Sequence, residues 1–424
     1  MTQHRRHRIV LFAVAAMALA AAVFAASASA NNSRVASAHP ARASAQTAHP
    51  VSVTTAGKGK EAALAAAMRT LWDQHMEWTY ATVDDFFHNP AAVGPTLDRL
   101  LQDQRDIGAA FAVYYGQAAG SELTNLLLTH IEDAVPVLQA AQANDATALA
   151  NAEAAWFANA KQIADFLTSL NPSNWPASVT EPMMATHISQ TITYSVDLLK
   201  GDYAQSIVDY DLAESHMDMM ADTLTQGIVA QFRKDFPGAE SPGAKKAAAL
   251  AAAMRTLWDQ HMEWTYATVD DFFHNPAAVG PTLDRLLQDQ RDIGAAFVPF
   301  YGQAAGSELT SLLLTHIEEA VPVLQAAQAN DATALATAEA DWFANAKQIA
   351  DFLTSLNPTN WPASVTEPMM ATHISQTITY SVDLLKGDYT QSIVDYDPAE
   401  SHMDMMADTL THGIIAQFPN SFHG

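Results

Sequence analysis

The stretch LWDQHMEWTYATVDDFF occupies positions 71–87 and returns unchanged at 257–273. Working outward from it, a shift of 186 residues lays Lys60–Phe232 on Lys246–Phe418 with 13 mismatches in 173 positions. A period this long is a whole folding unit rather than a solenoid turn, so the chain reads as one domain written twice. Within the quoted stretch, large apolar residues recur three and four apart (Leu71, Trp72, Met76, Tyr80, Val83), which is the period of an α-helix and not of a strand.

The rest of each copy follows the same period. In copy 1 the helices are expected over about Glu61–Phe87, Thr96–Tyr114, Ser121–Ala143, Ala146–Leu170, Ser178–Lys200 and Tyr203–Phe232. Their stops are His88-Asn89-Pro90, Gly116, Asn171-Pro172 and Gly201, and the Asn144-Asp145 cap opens the fourth. Short loops between long helices imply antiparallel neighbours, so the fold class is all-α, two tandem helical bundles of about six helices with a four-helix core. In the sixth helix Leu212 becomes Pro398 in copy 2. Asp397-Pro398-Ala399-Glu400 has the form of a helix start, so a bend or restart is expected at Asp211 and Asp397, with Glu214 and Glu400 in a capping box.

Residues 1–30 read as a secretory signal peptide: Arg5, Arg6 and Arg8, an apolar run at Ile9–Phe24, then Ala28-Ser29-Ala30. Residues 31–59 are rich in Ala, Ser, Thr and Pro and read as a disordered leader. Residues 233–245, with two Pro-Gly pairs among charges, read as a linker between copies 60–232 and 246–424. These features place the protein outside the cytoplasm, in the envelope or secreted.

The formal charge is −25, and −28 once Arg5, Arg6 and Arg8 leave with the signal (−25 − 3). Such acidity repels phosphate backbones and anionic lipid, which argues against nucleic-acid binding and, after signal cleavage, membrane insertion. The chain has no cysteine, which excludes thiolate metal sites and cysteine nucleophiles. No phosphate loop, nucleophile elbow or Ser-His-Asp spacing occurs, so an enzyme is expected only if a metal carries the chemistry.

The chemically informative residues are histidines. His75, His130, His187 and His216 each sit on the apolar stripe of a different helix, and His261, His316, His373 and His402 repeat them. Asp133 (Glu319 in copy 2) lies one turn from His130, and Glu214 (Glu400) lies beside His216. Helix bundles build metal sites from inward side chains on facing helices. Imidazole suits zinc, copper, iron and nickel, and added carboxylates shift the balance towards iron or manganese; the expected cofactor is a transition metal such as iron, copper or zinc. Met183, Met184, Met217, Met219 and Met220 lie near His187 and His216 and would suit copper, although methionine is also an ordinary filler of helical cores. Neither HExxH nor paired Glu-x-x-His appears, so the likeness to hemerythrin- or ferritin-like bundles is one of layout. Trp72, Trp78, Trp156 and Trp175 are expected in the core; with Tyr80 and Tyr115 they are also candidates to wall a ligand pocket. His88 reads as a helix end, and His412 occurs in one copy.

Together the segments LWDQHMEWTYATVDDFF, QRDIGAAFAVYYGQAAG, LLTHIEDAV, WFANAKQIADFLTSLNPSNWP and HMDMMADTLTQGIVAQF resemble a family of exported bacterial all-helical domains with no established activity. The resemblance covers essentially all of each copy and implies an exported helical domain with His75, His130, His187 and His216 in matching places. Members often carry Glu where this chain has Tyr194, and they are usually single domains. The expectation is therefore a metal ion or small ligand bound through core histidines in each copy. Its rivals are a non-catalytic envelope or extracellular interaction module with structural histidines, and a metal-dependent oxidoreductase.

Overall fold

A computed structural model describes residues 60–237 and 242–422. The signal peptide, the leader and part of the expected linker lie outside the described residues. Among the described residues the fold is all-α, without strands.

Copy 1 consists of α1 (Lys60–His88), α2 (Val93–Tyr115), α3 (Gln117–Gln142), α4 (Ala146–Leu170), α5 (Ala177–Lys200) and α6 (Tyr203–Gln231). A 3-10 turn at Arg233–Asp235 follows. Copy 2 consists of α7 (Pro242–His274), α8 (Val279–Gln328), α9 (Ala332–Leu356), α10 (Ala363–Lys386) and α11 (Tyr389–Gln417). The count differs because α8 runs through a kink at Gly302, at φ 82°; its equivalent, Gly116 at φ 85°, separates α2 from α3. Only glycine takes such a backbone readily, so the same turn is built in both places. Next to it α2 and α3 approach so closely that a Cβ on Gly120 would strike the Gly108 carbonyl oxygen at 2.5 Å.

Capping follows the sequence. Asp145 accepts bonds from the Thr147 and Ala148 amides at 3.0 Å, and Gly201 closes α5 in the left-handed conformation. Two helix boundaries differ from expectation. The third helix starts not at Ser121 but four residues earlier, at Gln117. No helix restarts at Asp211 or Asp397: α6 and α11 continue through both, with Pro398 inside α11. Asp211 and Asp397 instead pair with arginines of the opposite copy, and Glu214 and Glu400 bond glutamines there, so none of the four is committed to a cap.

Each copy closes on itself, with sequential helices adjacent and α1 packed on α6. The copies then meet through α1 against α7, with α2 on α11 and α6 on α8. The contact is reciprocal, as in an isologous dimer. Trp78 is fully buried against Tyr266 and Tyr396 of copy 2, with ring centroids 5.4 and 5.7 Å away. Trp264 enters copy 1 against Tyr80 and Tyr210 at 5.4 and 5.7 Å. Each hydrophobic core therefore contains residues of the other copy: Trp264, Leu286 and Ile317 in one, Trp78, Leu100 and Ile131 in the other.

The same face is full of carboxylates. Arg99 lies 5.5 Å over the Trp78 ring and binds both Asp103 of its own copy and Asp397 of the other; Arg285 repeats this with Trp264, Asp289 and Asp211. Tyr396 donates to Glu77 and Tyr210 to Glu263, while Gln74 donates to Glu400 and Gln260 to Glu214. Burial pushes Glu77 and Glu214 up to about 8, and Asp73, Asp259, Glu263 and Glu400 well above the carboxylate range, with neighbouring carboxylates adding to it. Held neutral, these carboxyls escape the mutual repulsion that so many charged acids on one interface would carry.

Candidate functional site

Three helices of copy 1 bring their histidines together. His75 (α1), His130 (α3) and His187 (α5) are almost wholly buried. Their rings lie 5.6 Å apart for His75–His187 and 5.7 Å for His130–His187. Copy 2 reproduces the cluster, with His261–His373 at 5.5 Å and His316–His373 at 5.6 Å. Each cluster lines a cavity of about 70 Å3. The walls in copy 1 are mostly apolar, Val83, Phe87, Leu97 and Ile192 among them, and Thr79, Thr82, Thr191, Ser195, Trp156 and Glu153 add polar groups.

Hydrogen bonds set the proton on two of the rings. The Asn159 amide nitrogen donates to the Leu126 carbonyl at 3.1 Å, so its Oδ1, 2.9 Å from His130 Nδ1, is the acceptor. His130 therefore carries its proton on Nδ1 and presents a lone pair at Nε2. The Gln104 amide nitrogen donates both to the Leu100 carbonyl and to His75 Nδ1, each at 2.9 Å, so the His75 proton is on Nε2. Copy 2 repeats these contacts through Asn345 and Gln290. Three buried atoms of the cluster have no hydrogen-bond partner among the described residues: His130 Nε2, His187 Nδ1 and Trp156 Nε1. Their equivalents in His316, His373 and Trp342 are in the same condition.

Burial pushes His75 down to about 3, with repulsion from His130 adding to it. Burial takes His130 down to about 4 against the opposing bond to Asn159. His187 lies well below the ordinary range because it is buried and faces His75, His130 and His216. The cluster is neutral at physiological pH, which suits lone-pair donation and hydrogen bonding but offers no charge to an anion.

The expected four-histidine set is incomplete. His216 is half-buried, and its Nε2 donates to the Met183 carbonyl at 2.9 Å, as His402 does to Met369. Asp133 and Glu319 are half-buried and do not line the cavities. Glu214 and Glu400 face the other copy. Among the described residues no group of three or more His, Cys, Asp or Glu side chains is arranged to hold a metal ion. Met183, Met184, Met217 and Met220 are buried in the core, and Met219 is exposed. The residues missed in the sequence are Asn159 and Gln104, each 29 positions from its histidine, a separation that no local pattern flags.

Among the described residues no helix is long and apolar enough to cross a membrane. Compared with known proteins, the chain matches no family model, no curated protein and no solved structure.

Proposed function

We propose that each copy binds a small ligand in its histidine-lined cavity, so that one chain carries two equivalent sites. The observation that carries this reading is the set of buried nitrogens without partners on His130, His187 and Trp156. An unpaired buried polar atom costs about 1–3 kcal/mol, and a bound group that pairs with it recovers that penalty. Other buried nitrogens, Trp72 Nε1 and Trp78 Nε1 among them, also lack partners, but those of His130, His187 and Trp156 belong to residues that line one cavity. The reading of residues 1–30 as a signal peptide, and the resemblance to a family of exported helical domains, support a site that works outside the cytoplasm.

One observation favours a second occupant, a first-row metal such as iron, copper or zinc. His130 gives its Nδ1 proton to an amide oxygen and leaves Nε2 free, which is the orientation metal-bound imidazoles adopt. His75 weighs the other way, since its Nδ1 is already occupied by Gln104.

The test is thermal stability of the purified protein against a panel of small molecules and metal salts, in the native sequence and with His130→Phe and His316→Phe combined. A ligand that binds the folded state raises the melting temperature. Stabilisation that disappears in the variant supports the reading; stabilisation that survives unchanged, or none from any compound, contradicts it.

A further inference from the structure

We infer that the ligand is a small uncharged molecule bearing a hydroxyl group on an aliphatic body, that is, a short-chain alcohol. The inference rests on the cavity reading and specifies its ligand class.

The unpartnered atoms define the head group. His130 Nε2 is an acceptor, because the Asn159 bond fixes the proton on the other nitrogen. Trp156 Nε1 is a donor and nothing else. The two rings are neighbours, with centroids 5.4 Å apart, and the same pair in copy 2 stands at 5.3 Å. A hydroxyl both donates and accepts, so one such group pairs with both atoms. A carboxylate only accepts and leaves the imidazole lone pair facing negative charge; an ammonium only donates and leaves the indole N–H unpaired.

Charge points the same way. The imidazoles are neutral, with burial holding His75 and His130 far below ordinary values, so an anion finds no counter-charge. Glu153 is the one carboxylate of the lining and is only half-buried. An ion placed among Val83, Phe87 and Leu97 would lose its hydration without compensation.

Size sets the body. The cavity is about 70 Å3, against roughly 150 Å3 for an apolar cavity that holds benzene. A slender chain of a few carbons fits where an aromatic ring does not. In copy 1 the hydroxyls of the lining already donate within their own helices: Thr79 to the His75 carbonyl, Thr82 to that of Trp78, Thr191 to that of His187 and Ser195 to that of Thr191. In copy 2 Thr268 and Ser381 are without partners and add two hydroxyls to the polar end of the cavity.

The test uses the intact protein and three probes of equal length, 1-butanol, butyrate and butylamine, together with zinc chloride. Each is titrated while the imidazole nitrogens are followed by NMR. Butanol is expected to shift His130 and His316 saturably, and at least about tenfold more tightly than the two charged probes. Combined Trp156→Phe and Trp342→Phe should weaken butanol binding by about five- to tenfold, the value of one net hydrogen bond. Should that variant lose its helical circular dichroism, the comparison of probes on the native sequence decides alone. Tighter binding of butyrate, butylamine or zinc at the same imidazoles overturns the alcohol and keeps the cavity. If no probe shifts these imidazoles, both the ligand class and the cavity reading are overturned.

Discussion

The indole of Trp78 lies edge-on to the ring of Tyr396, 5.7 Å away and on the opposite copy of the repeat, and Trp264 stands in the same relation to Tyr210 at 5.7 Å. The two copies thus exchange a tryptophan. Beside each, a tyrosine hydroxyl is given to a buried glutamate, Tyr396 to Glu77 and Tyr210 to Glu263. Internal duplication has produced, within one chain, the geometry of a symmetric dimer.

Trp78→Ala and Trp264→Ala should each lower unfolding free energy by about 3–5 kcal/mol, the usual cost of emptying a buried tryptophan site. Because each core includes residues of both copies, urea unfolding of the native chain should be one transition by circular dichroism and by fluorescence. Two resolved transitions, or a loss below about 1 kcal/mol in either variant, would contradict the shared core.

Stability should fall between pH 7 and pH 9. Glu77 and Glu214 are pushed up to about 8 in the folded state, from an ordinary 4.5. Folding then favours the protonated form, a contribution complete below the unfolded value and lost as pH rises through the folded one. The six buried cluster histidines, pushed down in the folded state, oppose this fall slightly near pH 7, where an unfolded imidazole is still about a quarter protonated, and no longer do so by pH 8. On the order of 1 kcal/mol should be lost per group. Urea midpoints at pH 7, 8 and 9 measure it, and a flat or rising series would contradict the assignment.

Arg99→Met should destabilise strongly, by about 3–5 kcal/mol, because it leaves buried Asp103 without its cation. Asp103 is already pushed up to about 7 by burial, against the opposing pull of Arg99. Without Arg99 it rises further, so the defect should be smaller at pH 5, where the carboxyl is neutral, than at pH 8. A pH-independent penalty would show that Arg99 acts only through its packing on Trp78.

Asn159→Leu removes the acceptor of the His130 Nδ1 proton and should cost about 1–3 kcal/mol. It also releases the ring to the other tautomer, so ligand binding in copy 1 should weaken while copy 2 is unchanged. Calorimetry that counts two equal sites in the variant would contradict the role given to Asn159.

Helical period and caps were legible in the sequence because they are local: Asp145, Gly201 and the spacing around Leu71 each act within one turn. Three histidines on apolar stripes were legible for the same reason. His216 was not, because its ring turns to the Met183 carbonyl, and a backbone acceptor on a neighbouring helix leaves no residue-type signal. The interface left one readable trace. Trp78 and Tyr80 lie about 200° apart around α1, and a helix with bulky groups on opposite sides must be covered on both. Pro398 misled because Asp-Pro-Ala-Glu has the composition of a helix start, whereas tertiary packing carries α11 through it.

Each copy holds a cluster of three neutral imidazoles, with His130 and His316 protonated on Nδ1. Long-range proton–nitrogen correlation spectra of the imidazoles, recorded from pH 5 to pH 8, test it directly. The account predicts that His75, His130 and His187 and their copy 2 equivalents stay neutral throughout, and that His130 and His316 show the proton on Nδ1. Titration of these rings near the ordinary value of about 6.5, or a proton on Nε2 of His130, would contradict it.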